Sequence, residues 1–433
     1  MTQPTAVRPP YDVVVVGLGL AGLVAGLTAA GEGARTLVVG KGYGTTHFRS
    51  GTLDVLGYAG GRPVASPADA LGEFLRTHAD HPYAHAGSVL EPAVEVVREA
   101  LREAGQEPAG ELGANVPVAT AAGTLRPSCV VPPTMAVPWA NARVLAVGLE
   151  GYRDFDPGMF AAVFPDQAAR WDLSVSARAV SVGVPQLRRR HLDGLALARL
   201  FDQTVFRRQL IEEIRPHVQD ATVVALPAVL GLRDPTGVAS ELRTALGVPV
   251  AELPTLPPSV PGMRLQQALA AGLHRRGARI QAGARATVRR TDGHASSLEV
   301  AAAAHPVHIP LRTVVLATGG LASDGLRVEG SGALVEAAAR LPVAGPGAGD
   351  DAGYGDAFLG REGQSIGLGG VRVDGEMRPL DADGRVVCDN LFACGGLLAG
   401  AQRPVERSAD GIAAATGYVA GRAASKEAAR WSS

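Results

Sequence analysis

Tyr11 to Lys41 reads YDVVVVGLGLAGLVAGLTAAGEGARTLVVGK, and this stretch decides the fold. Val13 to Val16 is a short β-branched run, the pattern of a buried strand. Gly17, Gly19 and Gly22 then fit G-x-G-x-x-G, Leu20 to Ala30 predicts a helix rich in small residues, and Arg35 to Val39 predicts a second strand. The whole is one βαβ unit. In such a unit Gly17 allows a tight turn, Gly19 lets backbone approach a phosphate, and Gly22 lets helix pack on strand. The amides at the helix start, from Leu20 and Ala21 onward, face the phosphate with the helix dipole behind them. Val13 to Gly31 carries no charge and has the length of a membrane span or signal sequence. Its interrupting glycines and its fit to a compact turn favour the soluble reading.

A departure accompanies the match. The usual dinucleotide fingerprint places an Asp or Glu about 20 residues on, to hold the ribose hydroxyls. Here the second strand ends in Gly40-Lys41, and no acid occurs between Ala34 and Leu53. Ordinary NAD recognition is disfavoured, and FMN, or FAD held in another way, remains open.

Outward from this unit, 433 residues with 46% hydrophobic content predict two to three domains with sizeable cores. Lys plus Arg (41) balances Asp plus Glu (42), so no global charge points to nucleic acid or an anionic membrane. Cys129, Cys388 and Cys394 form no CxxC pair, which supports neither a disulfide framework nor an iron–sulfur or structural zinc site. A reducing, cytoplasmic setting fits. Residues 1 to 10 read as a loose tail.

The loop after the second strand, Gly42 to Asp54, leaves the edge of the sheet where ligands sit, and Lys41, Ser50, Gly51 and Thr52 are candidate flavin contacts. His78, His81 and His85 read as surface residues. From Arg143 onward the chain alternates apolar strands with amphipathic helices, including one long helix over Leu195 to Val218. The Pro-rich passage Pro254 to Gln266 enters a helix, with Ser259 or Gly262 as cap and Arg264 in its first turn, where a cation hints at an anion to be held or at a surface salt bridge. Separate strands are expected at Val307–Pro310 and from Thr313, the latter ending in Thr318-Gly319-Gly320. Asn390 to Gly396 is a further strand opening into glycines, Gly395 and Gly396. Ser408 or Asp410 is a candidate cap of an Ala-rich final helix. Its first amides, at Gly411, Ile412 and Ala413, either face a reduced flavin ring or simply open a packing helix.

The expected fold class is α/β: a Rossmann-like flavin-binding domain with an inserted α/β domain. The expected boundaries are 11–60, 262–325 and 386–426 for the flavin domain, 61–261 for the insertion, and 326–385 for a loop-rich region near the active face.

GLGLAG, VVLATGG and NLFACGG together resemble the two-dinucleotide-domain flavoproteins. More specifically, THFRSGTLDVL (Thr46 to Leu56), HPY (His81 to Tyr83), GTLRPS (Gly123 to Ser128) and PTLPPSVPGMRLQ (Pro254 to Gln266) resemble the B-subunit family of anaerobic glycerol-3-phosphate dehydrogenase. The resemblance implies an FMN-associated flavoprotein that works with an FAD-containing partner of A type and a membrane-attached iron–sulfur partner of C type. It implies oxidation of sn-glycerol 3-phosphate to dihydroxyacetone phosphate, with electrons passing to quinone, and a location at the inner face of the cell membrane through a partner. On that reading His47 is the candidate base, and Arg126 and Arg264 are candidates for holding phosphate. Arg403 to Gly411, RPVERSADG, departs from the Gly-rich passage that members of the family can carry there. The competing readings are a stand-alone FAD oxidoreductase of the fumarate-reductase-like class and a non-catalytic subunit that relays electrons or stabilises its partner. The absence of GxxxxGK[ST] excludes the P-loop reading.

Overall fold

The computed structural model describes residues 10–187, 191–291, 293–302, 305–345, 353–355, 357, 360 and 362–431. The tail over residues 1–9 and part of the Gly-rich passage near 343–370 lie outside the described residues.

The opening βαβ unit forms as its residues predict: strand Tyr11–Val16, helix Leu20–Gly31, strand Thr36–Gly40. Val13, Val14 and Val15 are fully buried, as β-branched residues suit a strand covered on both faces. A seven-stranded sheet grows around this pair. Arg279–Ala282 adds in parallel outside Thr36–Gly40, and Val307–Leu316 adds in parallel on the far side of Tyr11–Val16. Val307–Leu316 is one strand, where the sequence predicts two. Its first half pairs antiparallel with His294–Val300, and its second half pairs parallel with Leu391–Ala393, so with Tyr11–Val16 it serves three neighbours.

The terminal helix Ala409–Arg430 lies against helix Leu20–Gly31, and glycines set the distance. A Cβ on Gly417 or Gly421 would fall 2.5 and 2.4 Å from the carbonyl oxygens of Ala21 and Ala25. Two small-residue faces therefore pack backbone to backbone.

A second sheet is four-stranded and wholly parallel: Val250–Leu253, Val223–Pro227, Arg143–Leu149, Ser176–Val182. Its own core includes Phe160, Phe164, Phe201 and Phe206, all fully buried. The long helix expected over Leu195 to Val218 is two helices, Gly194–Phe201 and Thr204–Val218. The break has a physical cause. Asp202 Oδ1 accepts from the amides of Leu232 and Arg233, and Gln203 turns extended to start the next helix. Among the described residues no helix is long and apolar enough to cross a membrane.

Candidate functional site

The three glycines of the first turn are required for different reasons. Gly17 sits at φ +130°, and a Cβ there would lie 2.1 Å from the Ala317 oxygen. A Cβ on Gly22 would lie 2.0 Å from the Gly17 oxygen. The chain itself demands both. Gly19 has φ −78° and ψ 176°, which any residue adopts, and a Cβ there would meet nothing within 4 Å. No side chain caps the helix that begins at Leu20 and Ala21. Neither conformation nor packing asks for glycine at 19, and the open space over the helix start is what a phosphate needs.

The later glycine turns come to the same edge. Ala317 abuts Gly17, and the Thr318 hydroxyl beyond it is buried without a hydrogen-bond partner. A Cβ on Gly396 would lie 3.1 Å from the Gly320 amide nitrogen and 3.4 Å from Gly319 Cα, and one on Gly395 would lie 2.6 Å from Ala21 Cβ. The Gly395 amide donates to Thr416 Oγ1 at 2.9 Å. Gly44 closes the other side: its Cβ would stand 2.7 Å from Gly19 Cα. An open glycine turn beside an orphaned hydroxyl fits the phosphate end of a flavin nucleotide, with Gly17, Gly19, Leu20, Ala21, Gly22, Thr318 and Gly319 as the residues that would line it.

The loop after the second strand carries a buried polar cluster. Arg126, on the strand Leu125–Ser128, donates to Asp54 Oδ2 at 2.6 Å, to Thr52 Oγ1 at 2.9 Å and to Ser50 Oγ. Arg49 pairs with Asp410 at 2.8 Å, and the Asp54 amide donates to Asp410 Oδ2 at 3.3 Å. Burial raises the Asp54 carboxyl, but Arg126 and the hydroxyls of Ser128 and Thr52 outweigh it and hold Asp54 below the ordinary value. Asp410 goes the other way: burial raises it, Arg49 opposes, and Asp54 adds to the rise. Gly51, at φ +76°, lets this loop touch Pro261, and a Cβ on Gly262 would lie 2.3 Å from the Thr46 oxygen. His47 lies half-buried on the same loop, stacked on Tyr43 at 4.8 Å and 3.5 Å from Gln266 Oε1. Burial lowers its pKa, against the opposing pull of Gln266.

Several expectations change here. Arg264 does not face an open anion site. It is buried and donates bidentately to Glu252 at 2.7 and 3.0 Å and to the Gly231 carbonyl at 2.7 Å. Glu252 is completed by Thr134 Oγ1 and the Leu230 amide, so Arg264 has found its anion in the protein. The start of the terminal helix is occupied too. The Gly411 amide donates to the Asp54 carbonyl at 3.0 Å and the Ile412 amide to the Ser408 carbonyl at 3.0 Å. A Cβ on Gly411 would lie 2.1 Å from Tyr83 Oη, so Gly411, Ile412 and Ala413 lie in the first turns of a helix whose start is closed by the chain. Ser408 precedes that helix without capping it, because its hydroxyl donates to Glu406 Oε2 at 2.6 Å.

His81 is fully buried, while His78 and His85 are exposed. The Tyr83 amide donates to His81 Nδ1 at 3.1 Å, which leaves Nε2 to donate to Glu406 Oε2 at 3.2 Å. The departing passage RPVERSADG is thus pinned by His81. Asp410, a candidate cap in the sequence, instead pairs with Arg49 and the Asp54 amide. Sequence reasoning missed Asp54, Arg49, Glu252 and Glu406, whose only local signal was their position inside or beside the quoted motifs.

These geometries define a class, a flavin-nucleotide oxidoreductase fold of the parallel-sheet type, and the comparisons agree. The chain matches the FAD binding domain family over residues 12–410. It is 36% identical over 332 residues to the B subunit of anaerobic glycerol-3-phosphate dehydrogenase from Pectobacterium atrosepticum, covering 73% of this chain and 76% of that protein. It is 31% identical over 407 residues to the same subunit from Yersinia pseudotuberculosis, covering 90% and 92%. With the probable B subunit of Halobacterium salinarum it shares 33% over 438 residues, covering 96% and 98%. Among solved structures, a 3-ketosteroid delta1-dehydrogenase from Sterolibacterium denitrificans aligns over 97% of this chain and 99% of its own, at 12% identity and a TM-score of 0.42. The chain belongs to the B-subunit family of anaerobic glycerol-3-phosphate dehydrogenase.

Proposed function

We propose that this chain is the flavin-carrying B subunit of a glycerol-3-phosphate dehydrogenase complex that passes electrons to quinone, and that its cofactor is FMN. One observation carries the reading: the four motifs that carry the family resemblance meet on the loop that follows the second strand. Arg126 of GTLRPS binds Asp54 and Thr52 of THFRSGTLDVL, Tyr83 of HPY donates to the Val55 carbonyl at 2.6 Å, and the Ser259 amide of the Pro-rich passage donates to the His47 carbonyl at 2.9 Å. The missing acid after Gly40 supports a mononucleotide over a dinucleotide.

A bound flavin supplies a hydride acceptor for C2 of sn-glycerol 3-phosphate. The chain's own part is to hold the cofactor phosphate on the Gly17–Gly22 turn and to take the hydroxyl proton. His47 suits the second task because burial favours its neutral, proton-accepting form. Arg126 acts as a positioning residue, fixing Ser50 and Thr52 through its buried contacts. The proposed partners are an FAD-containing A-type protein and a membrane-attached iron–sulfur C-type protein, so that the chain is peripheral at the inner face of the membrane.

A second reading has an observation of its own. Arg126 and Arg264, both expected to hold substrate phosphate, are committed to Asp54 and Glu252. This favours a subunit that relays electrons while the FAD-containing partner oxidises the substrate. Purification of the chain, release of its flavin and identification by chromatography tests the cofactor: FMN is expected, and FAD or no flavin would overturn it. Anaerobic addition of sn-glycerol 3-phosphate then separates the two readings. Bleaching of the flavin in the isolated chain supports substrate oxidation here, and bleaching only in the complex supports the relay.

A further inference from the structure

We propose that Lys41, Arg285 and Arg327 form a subsite for a phosphate monoester dianion at the open edge of the glycine turn. The proposal rests on the reading of that turn as the phosphate end of the nucleotide site.

The three cations come from three segments, and each is anchored to the turn. Lys41 follows Gly40, whose Cβ would lie 2.8 Å from Leu18 inside the G-L-G sequence. Arg285 follows Ala284, whose amide donates to the Gly40 carbonyl at 3.2 Å. Arg327 lies two residues after Gly325, which packs directly on the Gly319 carbonyl. All three meet at Asp324: Lys41 Nζ at 3.5 Å, Arg285 Nη2 at 2.7 Å and Arg327 Nε at 2.5 Å. Asp324 is itself held at φ +65°, a left-handed conformation that few side chains adopt.

One carboxylate therefore faces three cations. Among the described residues no second carboxylate lies within 4 Å of them. Their side chains are 67%, 44% and 42% exposed, so a ligand reaches them without displacing the chain. The cluster flanks the end of the second strand beside the glycine turn, where a dinucleotide fold can use an arginine to accommodate a phosphate. This chain presents net positive charge at that place. A phosphate monoester carries close to two negative charges at neutral pH, whereas the phosphates of a diester carry one each. The cluster thus favours a terminal phosphate over an FAD pyrophosphate. Two sources share that chemistry, the 5′-phosphate of FMN and the 2′-phosphate of a phosphoadenosine.

The test uses the full chain stripped of flavin, titrated with FMN, FAD and riboflavin by flavin fluorescence and with 2′,5′-ADP by calorimetry. In the Arg285→Gln/Arg327→Gln double variant, FMN affinity is expected to fall about tenfold at low salt, with the loss shrinking as salt screens these exposed charges. FAD and riboflavin are expected to change less than about twofold, since neither brings a monoester. Asp324→Asn, which keeps a residue suited to positive φ and removes the shared acid, is expected to tighten FMN. Unchanged FMN affinity in the double variant, or equal losses for FMN and FAD, overturns the proposal. Binding of 2′,5′-ADP to the wild type that is lost in the double variant supports it and assigns the phosphoadenosine source. Release of FAD from the purified wild type defeats the FMN reading separately, and the subsite is then judged on the FMN-to-FAD ratio of the variant.

Discussion

Two helix starts, each with a glycine at or within the first turn, are used in opposite ways. At Leu20–Gly31 the space above Gly19 is empty, with no side-chain cap and no neighbour within 4 Å of a Cβ. At Ala409–Arg430 the Gly411 amide is taken by the Asp54 carbonyl, and Tyr83 stands where a Cβ would go. Glycine records that something comes close. Only the tertiary structure says whether that something is a ligand or the protein.

The largest effects should come from filling the closed contacts. Gly22→Val and Gly411→Val each drive a side chain into backbone or a buried hydroxyl, and each should destabilise by about 3 kcal/mol or more, read by denaturant unfolding. A Gly411→Val variant as stable as wild type would break the comparison. Next comes Arg264→Leu, at a third helix start, which strands Glu252 in the core and should cost about 3–5 kcal/mol. Gly19→Val is the sharpening case. Its unfolding free energy should stay within about 0.5 kcal/mol of wild type while the chain loses its flavin on purification; retained flavin would remove the phosphate assignment.

Smaller effects follow pH. Burial raises Glu406, yet hydrogen bonds from His81 and Ser408 outweigh it and leave the carboxyl below 4.5. A depressed folded value means stability that is present above pH 4.5 and lost as pH falls towards that folded value. Glu406→Gln should therefore cost about 1–3 kcal/mol at neutral pH, with the gap closing in acid, as thermal melts across pH would show. Asp410 is the reverse and the smallest. Its raised folded value makes stability fall as pH rises from the ordinary 3.8 through that value. Asp410→Asn should remove that fall, by less than about 1 kcal/mol, and a steeper pH dependence would contradict it.

The fold was legible where local pattern decides it. The β-branched run Val13–Val16, the spacing of Gly17, Gly19 and Gly22, and the strand ends at Thr318 and Cys394 all announced the nucleotide sheet. The partners of charged groups were not legible, because they are chosen across the chain. Arg264 in a helix's first turn looked like a ligand for an anion, and nothing local marked Glu252 as that anion. His81 looked like its exposed neighbours His78 and His85 until the fold brought Glu406 to it. The break at Asp202 was hidden for the same reason: the amides that draw its carboxylate lie thirty residues on.

The packing of Gly417 and Gly421 on Ala21 and Ala25 also constrains the order of events at the ribosome. The first helix is uncharged and almost entirely buried, and the helix that packs on it lies nearly 400 residues further along the chain. At about 5–20 residues per second it waits roughly 20–80 s for that cover. During that interval the nascent chain displays an apolar, Gly-Ala-rich segment that a chaperone or a membrane-targeting factor would recognise.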